Sequence, residues 1–185
     1  MAYFLCKSGG GTLKWLKFAD FDFTQSLNDS VRGITATLSS ATRDADGLHF
    51  PSSSAYVTIN DLFSFIKTNH NRFEVDMGNG SLINTSSNNR FFMWSSTTGL
   101  IYRGDKGWSV YNGSWTSSFS SDKDLFNNST LTIETLNNQV KIYKNETLLF
   151  TTGKGSNQLT FQFGASGSSC ANLNIKALRV YIENI

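Results

Sequence analysis

Within the thirteen residues from Arg103 to Trp115 stand a guanidinium (Arg103), a carboxylate (Asp105), an amide (Asn112) and two rings with a polar edge (Tyr111 and Trp115). That mixture suits carbohydrate recognition. Sugars stack their apolar faces on aromatic rings, and their hydroxyls bond to amides, carboxylates and guanidinium groups in shallow sites. Arg103, Asp105, Tyr111, Asn112 and Trp115 are therefore the candidate ligand-binding residues. The wider stretch Arg90 to Phe119 holds three of the four Trp, and a sandwich needs some of those rings inside. Phe91, Met93, Leu100 and Trp108 are expected in the core, with Trp94 and Trp115 open to either assignment.

Other chemistries find less to work with. Glu74 and Asp76 alternate with Phe73, Val75 and Met77, which puts both carboxylates on one face of a strand, pointing away from the core and able to pair with Arg72 or Arg90. A Ser or Cys nucleophile needs a base within reach, and neither His49, next to inward Leu48 and Phe50, nor His70, in an Asn-His-Asn turn, sits near a nucleophile motif. Cys6 and Cys170 are too few and too far apart for zinc and are expected as free thiols; a disulfide is open only if the first and last strands lie side by side. Asp44-x-Asp46-Gly47 begins like a calcium loop but lacks the closing Glu, so its carboxylates are expected to shape a turn. Gly9-Gly10-Gly11 lacks the Lys of a phosphate loop. No catalytic residue, cofactor or metal ligand is assigned, and calcium has no motif to support it.

Composition narrows the partners. Sixteen Lys and Arg against fourteen Asp and Glu leave a net charge of +2, with the cations scattered singly. Nothing resembles the basic stripe that neutralises phosphates, so nucleic acid is excluded as a partner. No apolar run approaches the ~20 residues of a spanning helix, which excludes a membrane-spanning helix. The apolar Met1 to Leu5 stretch is cut off by Lys7, short of the ~7–15 apolar residues of a secretory signal, so synthesis in the cytoplasm without export is expected.

The elements that must position these residues are strands. One Pro, fifteen Gly and short alternating runs predict an all-β chain of about a dozen strands. Ile34, Ala36 and Leu38 share a face. Leu131 with Ile133, Val140 with Ile142, and Leu148 with Phe150 are the inward sets of three strands joined by turns at Asn137-Asn138 and Lys144-Asn145. Trp108 shares a face with Val110, which leaves Tyr111 on the other, and Asn112-Gly113 reads as a type I′ turn. The last strand changes inward parity between Ala177 and Leu178, as a bulge would cause. One short helix is expected at Asp61 to Lys67, capped by Asn60.

Four stretches in this order resemble the concanavalin A-like lectin/glucanase superfamily, in particular laminin-G-like domains. They are Gly47 to Phe50 with Tyr56 to Ile59, Phe73 to Asp76, Val140 to Asn145, and Ile175 to Tyr181. Glu146 stands where the family usually has Gly, for which a longer turn is expected. The resemblance implies a single domain over residues 1–185, a jelly-roll sandwich of two antiparallel sheets that commonly binds sugars on its concave sheet or rim loops. Family laminarinases carry Glu-x-Asp-x-(x)-Glu on one strand. Here Gly78 or Asn79 stands where the second Glu belongs, and retaining hydrolysis needs two carboxyl groups about 5 to 5.5 Å apart. A β-glucan hydrolase is thus disfavoured. The expected function is a non-catalytic carbohydrate-binding or adhesive module whose partner is a glycan or cell-surface polysaccharide, on the virion surface or tail of a bacteriophage. The alternative is a structural decoration or oligomerisation domain that contacts other virion proteins or copies of itself.

Overall fold

The computed structural model describes residues 15–62, 70–80, 88–93, 99–136, 138–153, 162–164 and 172–183. Cys6, Cys170, Gly9 to Gly11, Trp94 and most of the expected helix lie outside them. Two antiparallel sheets carry the fold. One has eight strands in the order β12 (Thr147–Gly153), β11 (Gln139–Lys144), β10 (Thr130–Leu136), β6 (Asn71–Met77), β14 (Asn174–Glu183), β4 (Gly47–His49) and β3 (Thr42–Asp44), and β1 (Trp15–Asp22) also pairs with β14. The other has six, in the order β2 (Thr37–Ser39), β5 (Tyr56–Thr58), β13 (Gln162–Phe163), β7 (Asn88–Met93), β8 (Gly99–Arg103) and β9 (Gly107–Tyr111). A 3₁₀ turn at Asn60–Leu62 is the sole helical element among the described residues.

Period-two alternation explains why the two sheets close on each other. Phe73, Val75 and Met77 of β6, Leu131 and Ile133 of β10, and Val140 and Ile142 of β11 are buried in one apolar cluster with Leu100, Trp108 and Val110 of the smaller sheet. Rings bridge the layers, with Phe73 and Phe92 centroids 5.4 Å apart. Arg72, Glu74 and Asp76 face the other way, as their parity predicts. The pair Asp44 and Asp46 shapes a turn, Asp46 N–H donating to Asp44 Oδ1 at 2.8 Å.

Bulges and turns depart from the expected pattern in four places. In β12 the register slips so that Ile142 faces Phe150 while Tyr143 faces Leu148. The extra residue is Leu149, and Leu148 is consequently 51% exposed rather than inward. In β14 the slip against β6 falls between Ile175 and Ala177, so the bulged residue is Lys176, just before the expected position. The hairpin between β11 and β12 is not lengthened to accommodate Glu146: Lys144 pairs with Thr147, and Asn145 and Glu146 both take positive φ, 45° and 67°. That is the two-residue loop that strand twist favours. Asn112-Gly113 is instead part of a three-residue connection, closed by a Tyr111–Trp115 bridge, in which only Gly113 has positive φ.

Candidate functional site

The hairpin of β8 and β9 carries the candidate residues. Leu100, Tyr102, Trp108 and Val110 point into the core, and Trp108 is 1% exposed with its indole N–H bonded to Asp122 O at 2.8 Å. The alternate residues Ile101, Arg103, Ser109 and Tyr111 lie on the opposite face of the hairpin, where Ile101 and Ser109 are buried and Arg103 and Tyr111 half-buried. After Tyr111 the chain turns back along β9. Thr116 N–H donates to Val110 O at 3.1 Å, Phe119 N–H to Trp108 O at 2.9 Å, and Trp108 N–H to Ser120 O at 2.7 Å. These bonds satisfy the edge of β9 and bring Trp115 back over the outward face.

Four of the five expected residues meet there. The Arg103 guanidinium carbon lies 4.5 Å from the centroid of the Trp115 ring, within cation–π range. Tyr111 and Trp115 are 4.9 Å apart at an interplanar angle of 65°. Asp105 reaches Arg103 at 3.7 Å from the exposed side. Trp115 keeps 39% of its surface open. Arg103 Nε is buried and has no hydrogen-bond partner among the described residues. The arrangement offers a ring, a guanidinium with spare donors, a phenol and a carboxylate.

Asn112 is placed differently. Its Nδ2 donates to Gly153 O at 3.0 Å and to Thr152 Oγ1 at 3.3 Å, and its Oδ1 accepts from Ser114 Oγ at 3.3 Å. The amide ties the end of β9 to β12, across from one sheet to the other. Its hydrogen-bonding capacity is largely used within the fold.

On the outward face of the eight-stranded sheet, Glu74 and Asp76 belong to a polar network. Arg72 bonds Glu74 at 2.8 Å and Glu134 at 2.6 Å. Tyr143 donates to Glu134 at 3.0 Å and Tyr181 to Glu74 at 3.1 Å. Asp76 accepts from Thr130 Oγ1 at 2.9 Å and pairs with Arg179. Burial by itself would lower the Arg179 pKa, but the bond to Asp76 and the charges of Asp76 and Glu74 raise it above its ordinary value. At Gly78, one of the two positions (with Asn79) where the resemblance would place a second acid, a side chain would overlap the amide of Asn174, which donates to Asp46 O at 3.0 Å. No three His, Cys, Asp or Glu among the described residues come together in a way that could hold a metal.

Sequence reasoning missed Arg179, Tyr181, Glu134 and Tyr143 as a group because no local signal links them. They lie on β14, β10 and β11, and only the cross-strand register makes them neighbours.

No family model and no characterised protein sequence matches the chain. Solved structures do. Domain 4 of AbnA, a GH43 extracellular arabinanase from Geobacillus stearothermophilus, in complex with arabinotriose, superposes with a TM-score of 0.61 at 13% identity over 91% of this chain and 93% of that one. Trypanosoma rangeli sialidase gives 0.64 at 12% identity over 91% of this chain and 31% of the sialidase. The receptor-binding domain of botulinum neurotoxin mosaic serotype C/D gives 0.61 at 16% identity over 91% and 48%. The chain thus spans about a third of the sialidase and about half of the toxin domain. At these identities the likeness is one of fold alone, and the chain is a β-sandwich of two antiparallel sheets.

Proposed function

We propose that the chain is a non-catalytic carbohydrate-binding module that receives a glycan on the outward face of the β8–β9 hairpin. The observation that carries this reading is Trp115, held by the backbone fold-back between Arg103 and Tyr111 with 39% of its surface open. An exposed indole flanked by a cation and a phenol stacks on a sugar ring while hydroxyls bond at its edge. Support comes from the similar structures, which include a domain in complex with arabinotriose and a sialidase in complex with sialic acid. The proposal extends to adhesion to cell-surface polysaccharide, as for a protein of a bacteriophage particle.

A glycan array followed by calorimetric titration with the best-bound oligosaccharide tests it. Trp115→Ala is expected to weaken binding at least ~10-fold, the equivalent of one lost stacking contact. Absence of binding by the wild type on the array, or equal affinity in Trp115→Ala, would remove the proposal. A second reading, an oligomerisation module, is favoured by Leu148, 51% exposed on the edge strand β12. Sedimentation of Leu148→Lys against the wild type decides it, since an assembly through this edge would dissociate in the variant.

A further inference from the structure

A cavity lies on the eight-stranded sheet, away from the Trp115 face. Its volume is about 500 Å³, within the ~300–1,000 Å³ of ligand pockets. Its floor is Ala177 of β14. Cross-strand register sets a carboxylate on either side of that methyl group: Ala177 pairs with Asp76 of β6 on one flank and with Asp22 of β1 on the other. One step along the same face, Arg179 stands between Glu74 and Asp20. The small residue amid longer polar ones is what makes the hollow.

The bulge completes it. Because Lys176 is the inserted residue against β6, it lines the cavity together with Ala177, its chain neighbour, where an unbroken strand would have sent them to opposite faces. Its backbone is anchored by Phe23 N–H donating to Lys176 O at 2.8 Å. Bulges re-aim side chains at functional positions.

Charge accounting identifies the ligand class. Asp76 is paired with Arg179, and Asp20 with Lys17 at 2.6 Å. Asp22 Oδ1 accepts from Thr24 N–H at 3.0 Å and Thr24 Oγ1 at 2.6 Å, which leaves Oδ2 without a partner among the described residues. The exposed Lys176 ammonium likewise has none among them. What remains is one acceptor and one strong donor, since the hydroxyls of Thr24 and Ser30 that also line the hollow donate to Asp22 Oδ1 and to Asp20 O at 3.3 Å. Lys176 and the unpaired Asp22 oxygen, opposite in sign, favour neither an anion nor a cation, and no three His, Cys, Asp or Glu among the described residues could hold a metal. Vicinal hydroxyls both donate and accept, and so match this set.

We infer that the hollow over Ala177, between Asp22, Asp76 and Lys176, is a second glycan site that takes the hydroxyl edge of a neutral sugar. It is independent of the Trp115 site and makes the module bivalent across its two sheets, so that a multivalent polysaccharide gains from both contacts.

Amide and indole NMR shifts report the two sites separately during titration with arabinotriose, laminaritriose and cellotriose to ~10 mM, a range that captures millimolar dissociation constants. The expected result is saturable movement of the Lys176, Ala177 and Asp22 amides with at least one of the three, retained in Trp115→Ala. Ala177→Leu fills the hollow and is expected to abolish that movement while leaving the Trp115 indole response intact. Lys176→Ala, which truncates an exposed side chain, is the second variant and is expected to weaken the pocket response ~3–10-fold, as the loss of one charged hydrogen bond would. No movement at these amides with any of the three sugars, or undiminished movement in both variants, overturns the inference. Silence at the Trp115 indole alone would instead count against the first site.

Discussion

At the scale of single residues, an amide and an indole only three positions apart have separate duties. Both Asn112 and Trp115 are of types that bind sugars, and nothing in their local sequence separates them. The fold separates them by what each can reach: Trp115 returns over the outward face, whereas Asn112 meets Thr152 and Gly153 of the facing sheet's edge. Asn112→Ala is therefore expected to lower unfolding free energy by ~1–3 kcal/mol, the cost of leaving acceptors without donors, with the glycan affinity of the folded protein unchanged. Urea denaturation beside the titration above checks both halves. A large loss of affinity with unchanged stability would return Asn112 to the ligand site. Arg103, Asp105 and Tyr111 were legible as a set because their spacing along one hairpin is local, and strand parity alone sends Arg103 and Tyr111 to the same face.

Among the elements, the informative departures are those where one residue is inserted or a turn is tight. Sequence periodicity reveals that parity must change near the end of the chain, but not that Lys176 is the inserted residue. That choice rests on where β6 and β1 hydrogen-bond to β14. The same holds for Leu148, which alternation assigns to the core and Leu149 displaces from it. In the hairpin between β11 and β12, Glu146 occupies φ 67°, a region that disfavours a side chain with a Cβ. The strain is tolerated because Asn145 Oδ1 accepts from Thr130 N–H at 2.9 Å and Asn145 N–H donates to Thr130 O at 2.9 Å, pinning the turn to β10. Glu146→Gly is expected to stabilise the protein by about 1 kcal/mol, relief of left-handed strain less the added freedom of the unfolded chain. The denaturation midpoint measures it, and an unchanged or lower midpoint would show that the turn is not strained at this position.

The whole molecule is held by an apolar layer between the sheets and, on one outer face, by a charged network that crosses four strands. Tyr143 at one end of that network has its pKa pushed up to about 12, by burial first and then by the charge of Glu134 and the hydrogen bond donated to it. The unfolded chain releases the same proton near pH 10, so this contribution is intact below about pH 10 and is lost as pH rises through about 12. Tyr143→Phe is expected to cost about 1 kcal/mol at neutral pH through the lost hydrogen bond, and to narrow its gap from the wild type between about pH 10 and 12. Urea midpoints across that range test it, and a constant gap would refute the assignment. By itself the sequence determined the all-β class, the inward sets of β6, β10 and β11, and the burial of Trp108 with Val110, because each follows from period-two alternation within a few positions. Only the tertiary structure decided that Trp115 lies between Arg103 and Tyr111, that Asn112 joins the two sheets, and that Asp22 and Asp76 flank Ala177. Those outcomes depend on hydrogen-bond register between strands distant in sequence, where a shift of one residue turns a side chain from one face to the other.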